Sequence, residues 1–281
     1  MPVPPEGRPV ELGFATHCGQ VREHNEDAYV AFQLGPDRNS WHLDAVIAVA
    51  DGLGGHLAGE VASRIAAETL TELLAPEQPP QLPWLPWARS PRGAVQRAIR
   101  EANSRIYAES QQEAGRLQMG TTLTAVLLHG RRMTVGHVGD SRAYLIRGGQ
   151  ISQITEDHTW VGEQVKRGVL TPEEAAVSPF RNQIVRSVGT SDTTEADILT
   201  EPLVEGDIVL ACSDGLADMV DDQTICATFV SSADLQGACD RLVELANQAG
   251  GRDNITVVAA RYRDATEAGA LSPTPEPESQ E

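Results

Sequence analysis

The chain has 281 residues, of which 41% are hydrophobic and 22% are charged, and this composition is typical of a folded protein with a sizeable core. Its formal net charge is -18, and without a basic stripe we expect no binding to nucleic acid. No apolar run reaches the roughly 20 residues of a membrane helix, and the N-terminus carries no export signal. The four cysteines form no CxxC pair. We therefore expect a soluble, cytoplasmic protein with reduced thiols and no membrane partner.

Apolar and β-branched runs bounded by Gly or Asp predict strands. They lie at residues 43–50, 121–128, 132–138, 142–147, 207–212 and 255–262. Amphipathic spacing predicts helices at 59–74, 93–113 and 234–248. Strands follow one another directly between 121 and 154, while the longer helices are grouped elsewhere. This order favours an α+β fold over a regular βαβ winding.

No compositional break marks a linker, so we interpret residues 8–263 as one domain after a flexible N-terminus at 1–7. Residues 76–92 contain six prolines and two tryptophans, which predicts a loop. Packing of Trp84 and Trp87 on the body is favoured over a peptide-recognition role for this loop. The acidic segment 264–281 has almost nothing to bury and is predicted to be disordered. A monomer is the default expectation.

Five aspartates lie where predicted strands begin or end: Asp27, Asp51, Asp140, Asp214 and Asp253. Strands that share a sheet or sandwich bring their ends together, so these carboxylates can converge although they are distant in sequence. Converging carboxylates repel one another unless cations neutralise them. Oxygen ligands without His or Cys at ligand spacing favour Mg²⁺ or Mn²⁺. Each Asp-Gly or Gly-Asp pair taken alone would indicate only a turn.

Six segments in order and register give a more specific signal. They are VREHNED (21–27), VADGLGGH (49–56), MGTTL (119–123), VGDSRAYLIRGGQISQIT (138–155), CSDGLAD (212–218) and GGRDNITVV (250–258). With these motifs the chain resembles the metal-dependent PPM phosphatases, also called the type 2C group, and it resembles the compact bacterial members most. The resemblance spans residues 12–262 and implies an α-β-β-α stack, a β-sandwich flanked by helices.

The resemblance also implies a metal site and an activity, the removal of phosphate from Ser or Thr of proteins. Two Mn²⁺ or Mg²⁺ ions would be held by Asp27, Asp51, the Gly52 carbonyl, Asp214 and Asp253, with Asp51 bridging. Asp140 and Asp214 would bind a weaker third ion. Asn254 would support the neighbouring ligand Asp253.

Arg22 matches the family arginine that grips the substrate phosphate, for which a planar guanidinium is suited. Catalysis would then rest on Arg22, Asp51 and Asp214, with a water molecule activated by the cations and no phosphoenzyme. Many eukaryotic members have a His directly after Asp-Gly as the proton donor, but this chain has Leu53 there. His56 is the nearest alternative donor, and a cation-activated water is favoured over it. His17, His24, His137 and His158 are interpreted as structural.

Residues 159–188 correspond to the mobile flap beside the active site of bacterial relatives. Lys166, Arg167, Arg181 and Arg186 make this flap basic, and we hypothesise that it steers phosphorylated segments to the metals. The resemblance implies phosphoprotein partners, namely a Ser/Thr kinase and its targets, but no residue selects a pathway. Two other functions remain open, a two-metal phosphodiesterase or nuclease and a non-catalytic module that binds a phosphorylated partner.

Overall fold

Two antiparallel sheets form the centre of the fold in the computed structural model, which describes residues 10–34, 43–54, 57–75, 90–112 and 119–263. The first sheet has the strand order β1-β11-β10-β7-β8 and the second has the order β2-β3-β5-β6-β9, with the short β4 paired to β3. The first sheet contains β1 (Val10–His17), β7 (Arg142–Arg147), β8 (Gln150–Gln153), β10 (Ile208–Cys212) and β11 (Ile255–Tyr262). The second contains β2 (Asp27–Gln33), β3 (Ala45–Leu53), β4 (Gly120–Thr121), β5 (Leu123–His129), β6 (Arg132–Val138) and β9 (Asp197–Pro202).

The helices lie in three groups along the chain. The first is α1 (Leu57–Leu74) with α2 (Pro91–Ser110), and the second is the short pair α3 (Trp160–Lys166) and α4 (Pro172–Ala176). The third is α5 (Asp214–Ala217), α6 (Asp222–Ser231) and α7 (Leu235–Gln248). Among the described helices none is both long and apolar enough to span a bilayer.

Strand β3 shows how one apolar run fills two cores. Ala45, Ile47 and Val49 point into the layer between the sheets, where they meet residues of β10 and β11. The alternating residues Val46, Ala48 and Ala50 pack with α1 and α2 on the outer face. Because both faces are covered, the strand is continuously apolar.

Strand β10 is built in the same way. Val209 and Ala211 face the inner layer, while Leu210 and Cys212 pack with α5, α6 and α7. The molecule therefore has four layers, helices, sheet, sheet and helices. The predicted α-β-β-α sandwich is confirmed.

The strand predictions were correct for the strands inside the sheets and incomplete at their edges. The sequence analysis did not predict β1, β2, β8 or β9, and these four are the edge strands of the two sheets. An edge strand is covered on fewer sides, so it lacks the apolar run that marks a central strand. In β1, for example, only Val10 and Gly13 are buried.

The predicted loop at 76–92 is too long at its C-terminal end. Ser90 caps α2 by accepting a hydrogen bond from the Gly93 amide, and Pro91 is the first helical residue, a position where proline is favourable. Residues 76–89, the predicted flexible segment 1–7, the predicted tail 264–281 and His56 lie outside the described residues. The division into a domain at 8–263 with a flap at 159–188 stays a prediction.

Candidate metal centre

Four strand ends, those of β2, β3, β10 and β11, meet at one side of the sandwich. Asp27 begins β2 and lies directly opposite Asp51 of β3 in the antiparallel pairing. In the other sheet, β10 ends beside the start of β11, so Asp214, at the start of α5, lies near Asp253, in the turn before β11. Each sheet thus contributes a pair of the predicted carboxylates.

Hydrogen bonds join the two pairs to each other and to the turn that carries the fifth carboxylate. Ser213 Oγ donates to Asp27 Oδ2 at 2.8 Å, across the two sheets. Thr122 Oγ1 accepts from the Asp51 amide at 2.9 Å and lies 2.7 Å from Ser141 Oγ, next to Asp140. The sequence analysis missed Thr122, Ser141 and Ser213 as supports, although each lies in one of the quoted motifs.

Burial and mutual repulsion make the carboxyl groups of Asp27, Asp51, Asp140 and Asp214 hard to ionise. Burial raises the pKa of Asp51 well above its usual value, and repulsion from Asp27, Asp214, Asp140 and Asp253 raises it further. Burial, followed by repulsion from neighbouring carboxylates, raises the pKa to about 7 for Asp27, about 8 for Asp140 and about 6 for Asp214. All five predicted aspartates therefore share one electrostatic environment, in which positive charge would be strongly favoured.

The residues present fit a divalent cation. One oxygen each of Asp27, Asp140 and Asp214 is buried without a hydrogen-bond partner, and such orphaned atoms are rare in folded proteins. The donors are carboxylates, the ligands that Mg²⁺ and Mn²⁺ prefer. Within the described ranges, no three His, Cys, Asp or Glu side chains already surround a single point as metal ligands. The fit therefore rests on the donor set and the orphaned oxygens, and not on a preformed coordination shell.

Gly52 lies beside this cluster, where a side chain has no space. A Cβ at Gly52 would collide with the backbone of Gly59 in α1 and with the carbonyl oxygen of Glu26. The end of β3 is therefore packed tightly between α1 and the loop that leads into β2. Only glycine fits at this position.

Arg22 reaches the cluster from the loop between β1 and β2. Its Nη2 donates to Asp253 Oδ2 at 2.6 Å, and this hydrogen bond raises the pKa of the guanidinium further above its already high value. The Arg22 side chain is 51% exposed, so it remains accessible to a ligand. Arg22 therefore lies at the solvent-facing edge of the five carboxylates.

Asn254 supports the site differently from the prediction. Only its backbone amide contacts Asp253, donating to Oδ1 at 2.9 Å. Its side chain holds the loop that carries Arg22: Nδ2 donates to the carbonyl oxygens of Cys18 (3.1 Å) and His24 (2.8 Å), and Oδ1 accepts from the Glu26 amide at 2.7 Å. Every polar atom of this buried side chain is thus used to fix the loop.

The described histidines that were interpreted as structural have structural contacts. His137 is buried against His158, with ring centroids 4.6 Å apart, and burial lowers the pKa of His137 to about 4, so it is neutral. His17 Nδ1 accepts from the Gly19 amide in a turn, and His24 offers its backbone carbonyl to Asn254. Leu53, after Asp51 and Gly52, has no proton to donate.

Three of the four cations in residues 159–188 are already paired with carboxylates. Lys166 Nζ lies 2.7 Å from Glu156 and Arg167 lies 3.0 Å from Glu163. Arg186 lies 2.9 Å from Asp197. The steering hypothesis rested on the four cations as a basic patch, but the carboxylate partners largely cancel its positive charge, and only Arg181 has no ion pair within the described part of the chain.

Comparison with known proteins identifies the family. The model of the family described as protein phosphatase 2C matches residues 16–254. The chain belongs to the protein phosphatase 2C family. This family is the PPM or type 2C group that the motifs resemble, so the predicted family is confirmed.

Two bacterial proteins illustrate the similarity to known relatives. The chain is 39% identical over 247 residues to the serine/threonine protein phosphatase PstP of Mycobacterium tuberculosis, covering 88% of this chain but only 44% of that protein. It is 35% identical over 256 residues to the serine/threonine phosphatase stp of Listeria monocytogenes, covering 91% of this chain and 97% of the relative.

A solved relative supports the predicted class of cofactor. The structure of the catalytic domain of PstP in complex with two manganese ions has a TM-score of 0.75 and 37% identity to this chain, and the match covers 91% of this chain and 99% of that one. The likeness therefore extends over nearly the whole described sandwich.

Proposed function

We propose that this chain is a metal-dependent protein phosphatase that hydrolyses phosphoserine and phosphothreonine. The observation that carries the proposal is the convergence of five carboxylates, three of them with a buried, unpartnered oxygen, beside the exposed arginine Arg22. A carboxylate cluster next to an accessible guanidinium suits a phosphomonoester held between cations and an arginine. The relatives PstP and stp are both named serine/threonine phosphatases.

Two cations would be held by Asp27, Asp51, the Gly52 carbonyl, Asp214 and Asp253, and Asp51, which the other four aspartates of the cluster all repel, would contribute to both ion sites. Asp140 and Asp214 would hold a weaker third ion, since Asp140 is repelled most strongly by Asp214. When bound, Mn²⁺ or Mg²⁺ supplies positive charge and activates a water molecule for attack on phosphorus.

Arg22 orients the substrate. Its guanidinium, fixed on Asp253 and open to solvent on its other side, can donate two parallel hydrogen bonds to phosphate oxygens. Ser213 holds Asp27 and Thr122 holds the backbone of Asp51, so the ligands keep their places as charge changes. Leu53 cannot protonate the leaving group, and among the remaining donors a cation-activated water is favoured over His56.

The two alternative functions are less well supported. A nuclease needs a basic groove for a polyanion, whereas this chain carries a net charge of -18. A non-catalytic phosphoprotein-binding module would not need to keep every carboxylate of the cluster. Parallel assays on a phosphomonoester and the corresponding diester distinguish the first alternative, and calorimetry of Mn²⁺ binding distinguishes the second.

Hydrolysis of a phosphothreonine peptide with Mn²⁺, Mg²⁺ or a chelator tests the proposal. We expect release of phosphate only with metal, and a loss of at least about a hundredfold in Asp214→Ala, because a ligand of the cations is removed. Asp240→Ala is the matched control, since Asp240 is an exposed aspartate on α7, and it should retain activity. Metal-independent release, or full activity in Asp214→Ala, would contradict the proposal.

The partners follow from the activity. We infer phosphorylated proteins as substrates, in particular a Ser/Thr kinase and its targets, and a cytoplasmic monomer as the working form. Residues 159–188 act as the flap over the site. Light scattering on the purified chain checks the monomer, and dephosphorylation of an autophosphorylated bacterial Ser/Thr kinase checks the kinase as a substrate.

A further inference from the structure

A cavity of about 970 Å³ opens next to the candidate metal centre. Asp140 and Asp214 are among its lining residues, together with residues of α3, α4 and the following turn. Ala217, Asp218 and Met219, at the end of α5, also line it. The cavity is therefore continuous with the carboxylate cluster and large enough for side chains that flank a residue bound there.

Six cationic side chains line this cavity, and four of them are neutralised. Besides the ion pairs of Lys166, Arg167 and Arg186, Arg142 forms a forked pair with Asp157, in which Nε donates to both carboxylate oxygens and Nη2 to one of them. Each of these four cations shares its charge with a carboxylate, so the lining cations without an ion pair are the stronger candidates for binding a further anion.

The other two cations are free. Arg181 and Arg252 both line the cavity and are exposed, and neither has an ion pair within the described ranges. Arg252 directly precedes Asp253, and Arg181 lies in the segment that follows α4. Asp218 also lines the cavity, and its Oδ2 accepts from Asn182 Nδ2 at 3.4 Å. Once cations neutralise Asp140 and Asp214, the lining residues without an ion pair are Arg181, Arg252 and Asp218, and their net charge is positive.

Two guanidinium groups facing one cavity suit an anion with two oxygens, either a carboxylate or a phosphate. We propose that this cavity is a subsite for an anionic group on the substrate protein, within a few residues of the phosphorylated Ser or Thr, and that Arg181 and Arg252 bind it. The inference rests on the proposed phosphatase function. Substrates with an acidic residue or a second phosphorylated residue beside the target are therefore preferred.

Phosphothreonine peptides that differ at one flanking position test the subsite. At each of three positions on either side of the phosphothreonine the peptide carries Gln, Glu or a second phosphothreonine, and kcat/KM is measured with Mn²⁺ at low and high salt. We expect at least one position where Glu or phosphothreonine improves kcat/KM over Gln by about fivefold, as partly exposed ion pairs allow. The gain should shrink in high salt because the charges are screened.

Variants then assign the effect to the two arginines. Arg181→Gln and Arg252→Gln should each reduce the ratio of kcat/KM for the acidic peptide to kcat/KM for the Gln peptide. In the double variant this ratio should be close to one. Arg100→Gln is the matched control, because Arg100 is an exposed arginine on α2 that does not line the cavity, and its ratio should equal that of the wild type. A preference for phosphothreonine alone identifies a second phosphate as the anion, and a preference for Glu identifies a carboxylate.

Peptide hydrolysis with equal kcat/KM for Gln, Glu and phosphothreonine peptides would overturn the subsite and leave the phosphatase function intact. A preference that survives in the double variant would also overturn it. If no peptide is hydrolysed, the proposed function fails, and binding of the same peptides is measured by fluorescence anisotropy. Tighter binding of the acidic peptides than of the Gln peptide, lost in the double variant, would still support an anion subsite. Equal affinity for all the peptides would overturn it.

Discussion

At the scale of single residues, two asparagines illustrate how buried amides fix loops. Asn254 holds residues 18–26 through Cys18, His24 and Glu26. Asn103 on α2 holds the turn after residue 188 by donating to the Ser191 and Asp192 carbonyls and accepting from the Gly189 amide. Both side chains are almost fully buried, but only Asn254 holds the loop that carries Arg22.

Asn254→Ala is expected to raise KM for a phosphopeptide by about tenfold, with a smaller change in kcat. The substitution leaves two carbonyls and one amide of the loop without these partners, which costs about 1 to 3 kcal/mol of stability, and it frees the loop that positions Arg22. Steady-state kinetics and urea unfolding provide the two measurements.

Asn103→Ala is the control for this comparison, because it should lose similar stability without a change in KM. Equal KM values in the two variants would show that Asn254 stabilises the fold without positioning the arginine.

At the scale of elements, the four-residue helix α5 sets the distance between the two sheet-end aspartates of its sheet. Ser213 precedes α5 and bonds to both Asp27 and the Thr256 amide. Gly215 lies so close to β11 that a Cβ there would collide with the carbonyl oxygen of Asn254. The close approach of α5 to the turn before β11 therefore depends on the missing side chain.

Gly215→Ala is expected to lower the free energy of unfolding by about 1 to 3 kcal/mol, because the added methyl group pushes α5 away from β11. It should also weaken Mn²⁺ binding, since Asp214 moves with the helix. Urea unfolding and calorimetric titration with Mn²⁺ measure the two effects.

Gly237→Ala, in α7, serves as the comparison. There the Cβ would meet only the Asp234 side chain, and the higher helix propensity of alanine should leave the stability unchanged or slightly increased. Equal stability of the two glycine variants would contradict the packing argument.

At the scale of the whole molecule, the sandwich brings buried carboxylates together at a cost to its own stability. Four of the five have raised pKa values, chiefly because burial disfavours the charged form. Proteins often keep such locally unfavourable arrangements where function requires them. The cations that would offset this repulsion should therefore also stabilise the fold.

Mn²⁺ at about 100 times its dissociation constant should raise the midpoint of thermal unfolding relative to the chelated protein by roughly 5 to 10 °C, as mass action predicts for a domain of this size. Asp51→Asn should abolish this increase and, in chelator at pH 8, should unfold at a higher temperature than the wild type, because asparagine is neutral without the cost of protonating or ionising a buried carboxyl group. Scanning calorimetry measures both midpoints.

Asp240→Asn removes the same charge at an exposed position and should respond to Mn²⁺ like the wild type. A manganese-dependent increase that persists in Asp51→Asn would show that the ion acts elsewhere on the chain.

The sequence alone predicted the central strands and the five aspartates that converge in the fold, and the resemblance carried by its motifs predicted the layer architecture. Central strands are apolar on both faces and are read directly from the sequence, and the aspartates are recognisable because each lies at the beginning or end of a strand in one of the motifs. Edge strands such as β1 and β9 carry no comparable pattern because they bury less surface, so only the pairing in the folded sheets revealed them.

Tertiary structure decided which charges are free and which are used. Lys166, Arg167 and Arg186 appear in the sequence as a basic patch, but their carboxylate partners Glu156, Glu163 and Asp197 neutralise them. The observed role of Asn254 differs from the predicted one because its side chain contacts residues more than 200 positions away in the sequence. Charge and hydrogen-bond capacity are local properties of a residue, whereas their partners are set by contacts that only the folded chain creates.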